Sequence, residues 1–178
     1  MRVRIDAVRQ NISPVQAESN IRRVCEDFVP QVQKKLYYPY FWAEFEYSVN
    51  VLIKGRKQFN ANCVVDLINR VAAVTDSFES ESILVPTEFV LRHQANTEEA
   101  IQLAKSSLVQ QVMLKMKSLL YPDIKIMQHS VVYKPFWILK CESTNGEGHI
   151  RVLLDAVTGG YEILNHTPCR ESVGLEAC

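Results

Sequence analysis

The stretch Tyr37-Tyr-Pro-Tyr-Phe-Trp-Ala-Glu-Phe-Glu-Tyr-Ser-Val49 decides how the chain is read. From Tyr38 onward its chemistry alternates with a period of two. Phe41, Ala43, Phe45, Tyr47, Val49 and Val51 fall on one face, and Tyr40, Trp42, Glu44, Glu46, Ser48 and Asn50 on the other. Successive side chains of an extended chain point to opposite sides, so this is the pattern of a half-buried strand. Its apolar face belongs in a core, which leaves Tyr40 and Trp42 to be explained.

On the N-terminal side the period is helical. Ser13 is placed to cap a helix, Pro14 suits its first turn, and Gln16 completes a capping box. Ile21, Val24, Cys25, Phe28 and Val32 recur as one stripe that Pro30 interrupts. On the C-terminal side Gly55 marks a turn, Phe59, Ala61, Cys63 and Val65 alternate inward, and a third strand follows a turn at Asn69. A helix packed on an antiparallel meander is the expected result.

The pattern then starts again. Ser82–His93 reads as a strand or extended connector. Asn96 caps a long helix with Glu99 three residues on, and Ala100, Ile101, Ala104, Leu108, Val112, Met116 and Leu119 form its stripe. Glu98 and Glu99 sit at its start, and Lys115 and Lys117 near its end, as the helix dipole favours. Strand material follows from Ile124 to Glu142, then the hairpin signal Asn145-Gly146, then two further strands around the turn Val157-Thr-Gly-Gly160. Tyr38, Phe41 and Trp42 align with Tyr133, Phe136 and Trp137. Asp66 aligns with Asp155, and Ala17 with Ala100. Three matches in the same order point to an internal repeat.

The second half, Val131–Ile163, carries an aromatic strand followed by Asp155, Thr158 and Gly159. In this it resembles PepSY-like and cystatin-like modules. The resemblance implies a helix on an antiparallel sheet, with the Asp-x-x-Thr-Gly element making the last hairpin, and a role in binding, inhibition or assembly rather than catalysis. The first copy keeps Asp66 but has Asn69-Arg70 in place of Thr-Gly. The expected fold class is therefore α+β, with two similar cystatin-like units at residues 1–82 and 83–178, the second ending in a flexible tail, together forming one compact body.

Composition narrows the function classes. Hydrophobic residues make up 47% and charged residues 22% of 178 residues, the balance of a globular chain. Lys plus Arg and Asp plus Glu stand at 20 each, without the basic excess of a nucleic-acid binder. No apolar run reaches the roughly 20 residues needed to span a bilayer. Cys25, Cys63, Cys141, Cys169 and Cys178 are widely spaced and odd in number, which fits reduced thiols and a cytoplasmic location.

No nucleotide, metal or hydrolase signature occurs, so neither a cofactor nor a metal is expected. Glu44 and Glu46 could run acid–base chemistry, or form the solvated half of the strand. Asp66 and Asp155 open turns, the usual role of such aspartates. His166, Cys169 and Cys178 are too loosely spaced for a zinc site. The expected binding surface is an outer sheet face with Tyr40, Trp42, Tyr133, Trp137, Glu44 and Glu46, used for self-association or a protein partner. The alternatives are a small enzyme or carrier with a pocket between helix and sheet, and an inhibitor that presents its hairpins to another protein.

Overall fold

A computed structural model describes residues 1–51, 55–93, 96–116, 121–146 and 148–168. Lys117, Leu119, Cys169 and Cys178 lie outside them, as do the side chains of Asn50, Val51, Met116 and His166. The elements are β1 (Arg2–Val8), α1 (Pro14–Val24), β2 (Phe28–Val51), β3 (Gly55–Asp66), β4 (Ala72–Thr75), β5 (Ser80–Pro86), α2 (Thr97–Met116), β6 (Asp123–Ser143), β7 (Gly148–Asp155) and β8 (Tyr161–Pro168), with a short 3-10 turn at Thr87–Phe89. Hydrogen-bonded strands run β4-β3-β2-β6-β1-β5, with β7 on β6 and β8 on β7. The pairs β1–β5, β2–β3, β3–β4, β6–β7 and β7–β8 are antiparallel, and β1 meets β6 in parallel at Ala7 and Tyr133. The protein is thus α+β with a mixed sheet. Among the described residues no helix is long and apolar enough to cross a membrane.

Helix α1 begins as expected. The Ser13 hydroxyl accepts the Gln16 N–H (3.3 Å), and the Gln16 side chain accepts the Ser13 N–H (2.8 Å). It stops at Val24, so Phe28 and Val32 are strand residues and not a continuation of the helical stripe. Pro30 explains the stop: it offers no N–H to a helix and steers Val29 toward extended backbone. Strand β2 therefore starts ten residues before Tyr38. Helix α2 is capped by Asn96, whose side-chain oxygen accepts the Glu99 N–H (2.7 Å), and its Ala100, Ala104, Leu108 and Val112 are buried.

The chain forms two compact units: residues 1–9 with 37–134, and residues 10–36 with 135–178. In the first, α2 packs its stripe on Phe41, Ala43, Phe45 and Val49 of β2 and on Cys63 and Val65 of β3. A second cluster there joins Ile5, Ala7, Tyr37 and Val85. In the other unit, Ala17 and Ile21 of α1 pack on Trp137, Leu139 and Cys141 of β6, and on Ile150, Val152 and Leu154 of β7. Each helix thus packs mainly on a meander it does not directly precede. The strand that follows it adds only partly buried side chains at the core's edge: Phe28 and Val32 of β2 for α1, and Ile124, Ile126 and Val131 of β6 for α2. Length makes this possible. The 11 residues of α1 span about 16 Å. The 24 residues of β2 extend far beyond that, at roughly 3.3 Å each. Only the first part of β2 can stay with the helix that precedes it. The Glu18 carboxylate holds that part by accepting the Val32 N–H (2.8 Å).

Candidate functional site

The two aspartate turns are built alike. Asp66 Oδ1 accepts the N–H groups of Ile68 and Asn69 (both 2.8 Å), and Asp155 Oδ1 accepts those of Val157 (2.8 Å) and Thr158 (3.2 Å). The second oxygen of each carboxylate takes a side-chain donor from the third residue on, Asn69 Nδ2 in one turn and the Thr158 hydroxyl in the other. The fourth residue on is left-handed in both, Arg70 at φ 58° and Gly159 at φ 82°. The sequence places the turn at Asn69; the left-handed residue is Arg70, because Asn69 is committed to the carboxylate. The N–H after each aspartate is also matched: Leu67 donates to Pro39 O (3.3 Å) and Ala156 to Pro135 O (3.1 Å).

This register corrects the face of Trp137. Tyr40 lies opposite Asp66, and Phe136 opposite Asp155. Phe41 and Trp137 are therefore counterparts, one residue away from the alignment of Phe41 with Phe136. A slip of one residue moves every side chain to the other face. Trp137 is consequently buried (8% exposed) with Leu139 and Cys141, where the sequence reading puts it on the outer face. Its indole N–H donates to Ile12 O (2.9 Å), and Lys35 Nζ lies 5.2 Å from the ring centroid. Tyr133 sits against the cluster of Ile5, Tyr37 and Val85, and burial raises the pKa of its hydroxyl.

The remaining expected site residues stay on the side of β2 that faces away from α2. Tyr38, Tyr40 and Trp42 form a row at two-residue spacing, each half-buried. The rings of Tyr38 and Tyr40 are 5.4 Å apart, and Phe78 meets Trp42 edge-on at 6.2 Å. The Tyr38 hydroxyl donates to the Asp66 carboxylate (3.0 Å to Oδ1). Burial works to raise the Asp66 pKa, but the amides of Asn69 and Ile68, the Asn69 side chain and the Tyr38 hydroxyl outweigh it, so the pKa lies below its ordinary value. Burial together with Asp66 raises the pKa of Tyr38 strongly. Glu44 accepts from Gln128 Nε2 (2.7 Å).

Glu46 borders an open cleft of about 520 Å³ shared with Arg56, Lys105 and Asp123. Arg56 bonds Ser48 Oγ (2.9 Å) and Asp123 (2.7 Å), which accounts for Ser48 being buried although the alternation places it outside. A second groove of about 330 Å³ opens between α2 and β3, with Tyr47, Leu108 and Val112 as apolar walls and Asn60, Asn62 and Gln111 at its rim. The sequence suggests a pocket between helix and sheet as an alternative but does not point to Asn60, Asn62 or Gln111 as its lining. The groove exists because four-residue β4 covers only Asn62–Val65 of β3, a strand length no local pattern announces. Among the described residues no three His, Cys, Asp or Glu side chains are grouped to hold a metal.

No family model matches the chain, and no curated protein or solved structure matches it.

Proposed function

We propose that the protein is a non-enzymatic binding or assembly module that associates with a second copy of itself, or with a protein partner, in the cytoplasm. The observation that carries the reading is the row Tyr38, Tyr40 and Trp42 on the face of β2 opposite the one that packs on α2, with Phe78 of the β4–β5 connector set edge-on against Trp42. Aromatic side chains give large contact area at small entropic cost and are enriched at interfaces. Glu44 and Gln128 supply a polar border. The matching aspartate turns and the paired prolines support an origin by duplication of one cystatin-like helix-and-meander segment, and such modules act by binding.

Trp42→Ala tests this. The expected result is a sedimentation profile showing self-association at least tenfold weaker than wild type, with the melting temperature within a few degrees. A wild type that is monomeric at every concentration overturns self-association and leaves the partner, and a mutant that no longer folds overturns the reading by making Trp42 a core residue. The groove beside Asn60, Asn62 and Gln111 favours a second reading, a carrier of a small polar-edged molecule. In that case Gln111→Leu removes ligand binding and Trp42→Ala leaves it intact.

A further inference from the structure

Among the described residues, the unit formed by residues 10–36 and 135–178 holds two thiols, Cys25 and Cys141, that play no part in the aromatic face. Cys141 lies on β6 in the core cluster and is fully buried. Cys25 closes α1, donating its N–H to Ile21 O (2.9 Å), and packs partly exposed against the same cluster. The segment just after Cys25 is pinned to the end of β6. Asp27 O accepts both the backbone N–H (2.9 Å) and the hydroxyl (3.1 Å) of Thr144, three residues beyond Cys141. The Phe28 N–H turns back to Cys25 O (3.1 Å). The thiols also interact electrostatically.

We propose that Cys25 and Cys141 are a modification site for peroxide, forming a reversible disulfide in which Cys25 meets the oxidant and Cys141 resolves it. The order follows from exposure, since only Cys25 is open to solvent. Its thiolate attacks one oxygen of hydrogen peroxide, the O–O bond breaks, and the departing hydroxide takes a proton to become water. The Cys141 thiolate then attacks the resulting sulfenic sulfur, the S–O bond breaks, a second hydroxide leaves as water, and the S–S bond forms. Two thiols have lost two protons and two electrons, and one peroxide has become two waters. A bridge accepts Cα separations only up to about 7 Å, and the Asp27–Thr144 bonds hold the two segments side by side.

Burial, with Cys25 adding to it, pushes the Cys141 thiol up to about 11. Its thiolate is scarce at neutral pH, so the second step speeds up about tenfold per pH unit below that value. In a reducing compartment a bridge of this kind is transient and serves sensing, not scaffolding.

The test uses the full chain. It is treated with hydrogen peroxide at pH 7 and pH 9, free thiols are then alkylated, and non-reduced peptides are mapped by mass spectrometry. The expected product is a Cys25–Cys141 peptide pair, faster to form at pH 9, with a melting temperature several degrees higher that dithiothreitol reverses. In Cys141→Ala a cyclic 1,3-diketone traps the sulfenic acid on Cys25. In Cys25→Ser, a change at a partly exposed position, Cys141 stays reduced. Free Cys25 and Cys141 after full exposure, pairing of either with Cys63, Cys169 or Cys178, or passage of Cys25 to sulfinic acid without bridging would each overturn the proposal.

Discussion

At the scale of single residues, the aspartate turns show how one geometry is met by different chemistry. Gly159 occupies the left-handed position without a Cβ, and one added there would lie 3.1 Å from Ile12 Cδ1. Gly159→Ala is expected to cost about 1–2 kcal/mol, from backbone strain alone at the low end, measured by chemical denaturation. Arg70 accepts the same strain in the first turn and forms an exposed ion pair with Glu99 (3.2 Å). Asp66 couples its turn to pH. Its folded pKa is lower than the ordinary 3.8, so on acidification the unfolded chain takes up the proton first. The contribution is complete above that value and is lost as pH falls through the folded pKa. Asp66→Asn should therefore lose stability less steeply than wild type below about pH 4. Equal slopes in acid titrations of stability would contradict it.

At the scale of elements, the alternation of β2 was legible because one face is apolar for five successive positions and the other carries Glu44 and Glu46. Strand β6 was harder. Phe136, Trp137, Ile138 and Leu139 are all apolar, so the period of two has no polar face to mark its phase, and only pairing with β7 fixes it. The difference has an energetic signature. Trp137→Phe removes the donor that satisfies Ile12 O and is expected to cost about 1–3 kcal/mol, and Trp137→Ala about 3–5 kcal/mol. Trp42→Ala on the outer face costs much less. If thermal unfolding finds the two tryptophans equivalent, the assignment of faces fails. The boundary between α1 and β2 is ambiguous in sequence for a related reason: Phe28 and Val32 pack on the same core as Ile21, so they fit a helical stripe as well as a strand.

At the scale of the whole molecule, the two halves of the sequence are interleaved. Side chains between Ile12 and Val32 build a core with those between Trp137 and Ala156, and strands β2 to β4 build one with α2. The connector Asp76–Glu79 between β4 and β5 is the natural place to cut, and Arg9 holds its end through the Glu79 carboxylate (3.1 Å). A protease site placed at Ser77 and cleaved after folding should leave both fragments in one gel-filtration peak, separating only in denaturant. Fragments that part under native conditions would mean that each helix packs on its own meander.

By itself the sequence determined the α+β class, both helix starts, the outer placement of Tyr40 and Trp42, and both aspartate turns. Each of these rests on local chemistry: a capping oxygen, a period, a carboxylate near free amides. Tertiary structure alone decided which helix covers which meander, which face of β6 turns inward, and where β4 leaves β3 open. These depend on strand pairing and strand length, which join residues more than a hundred positions apart. Ile12 meeting Trp137, and Asp27 meeting Thr144, are contacts that no short window of sequence contains.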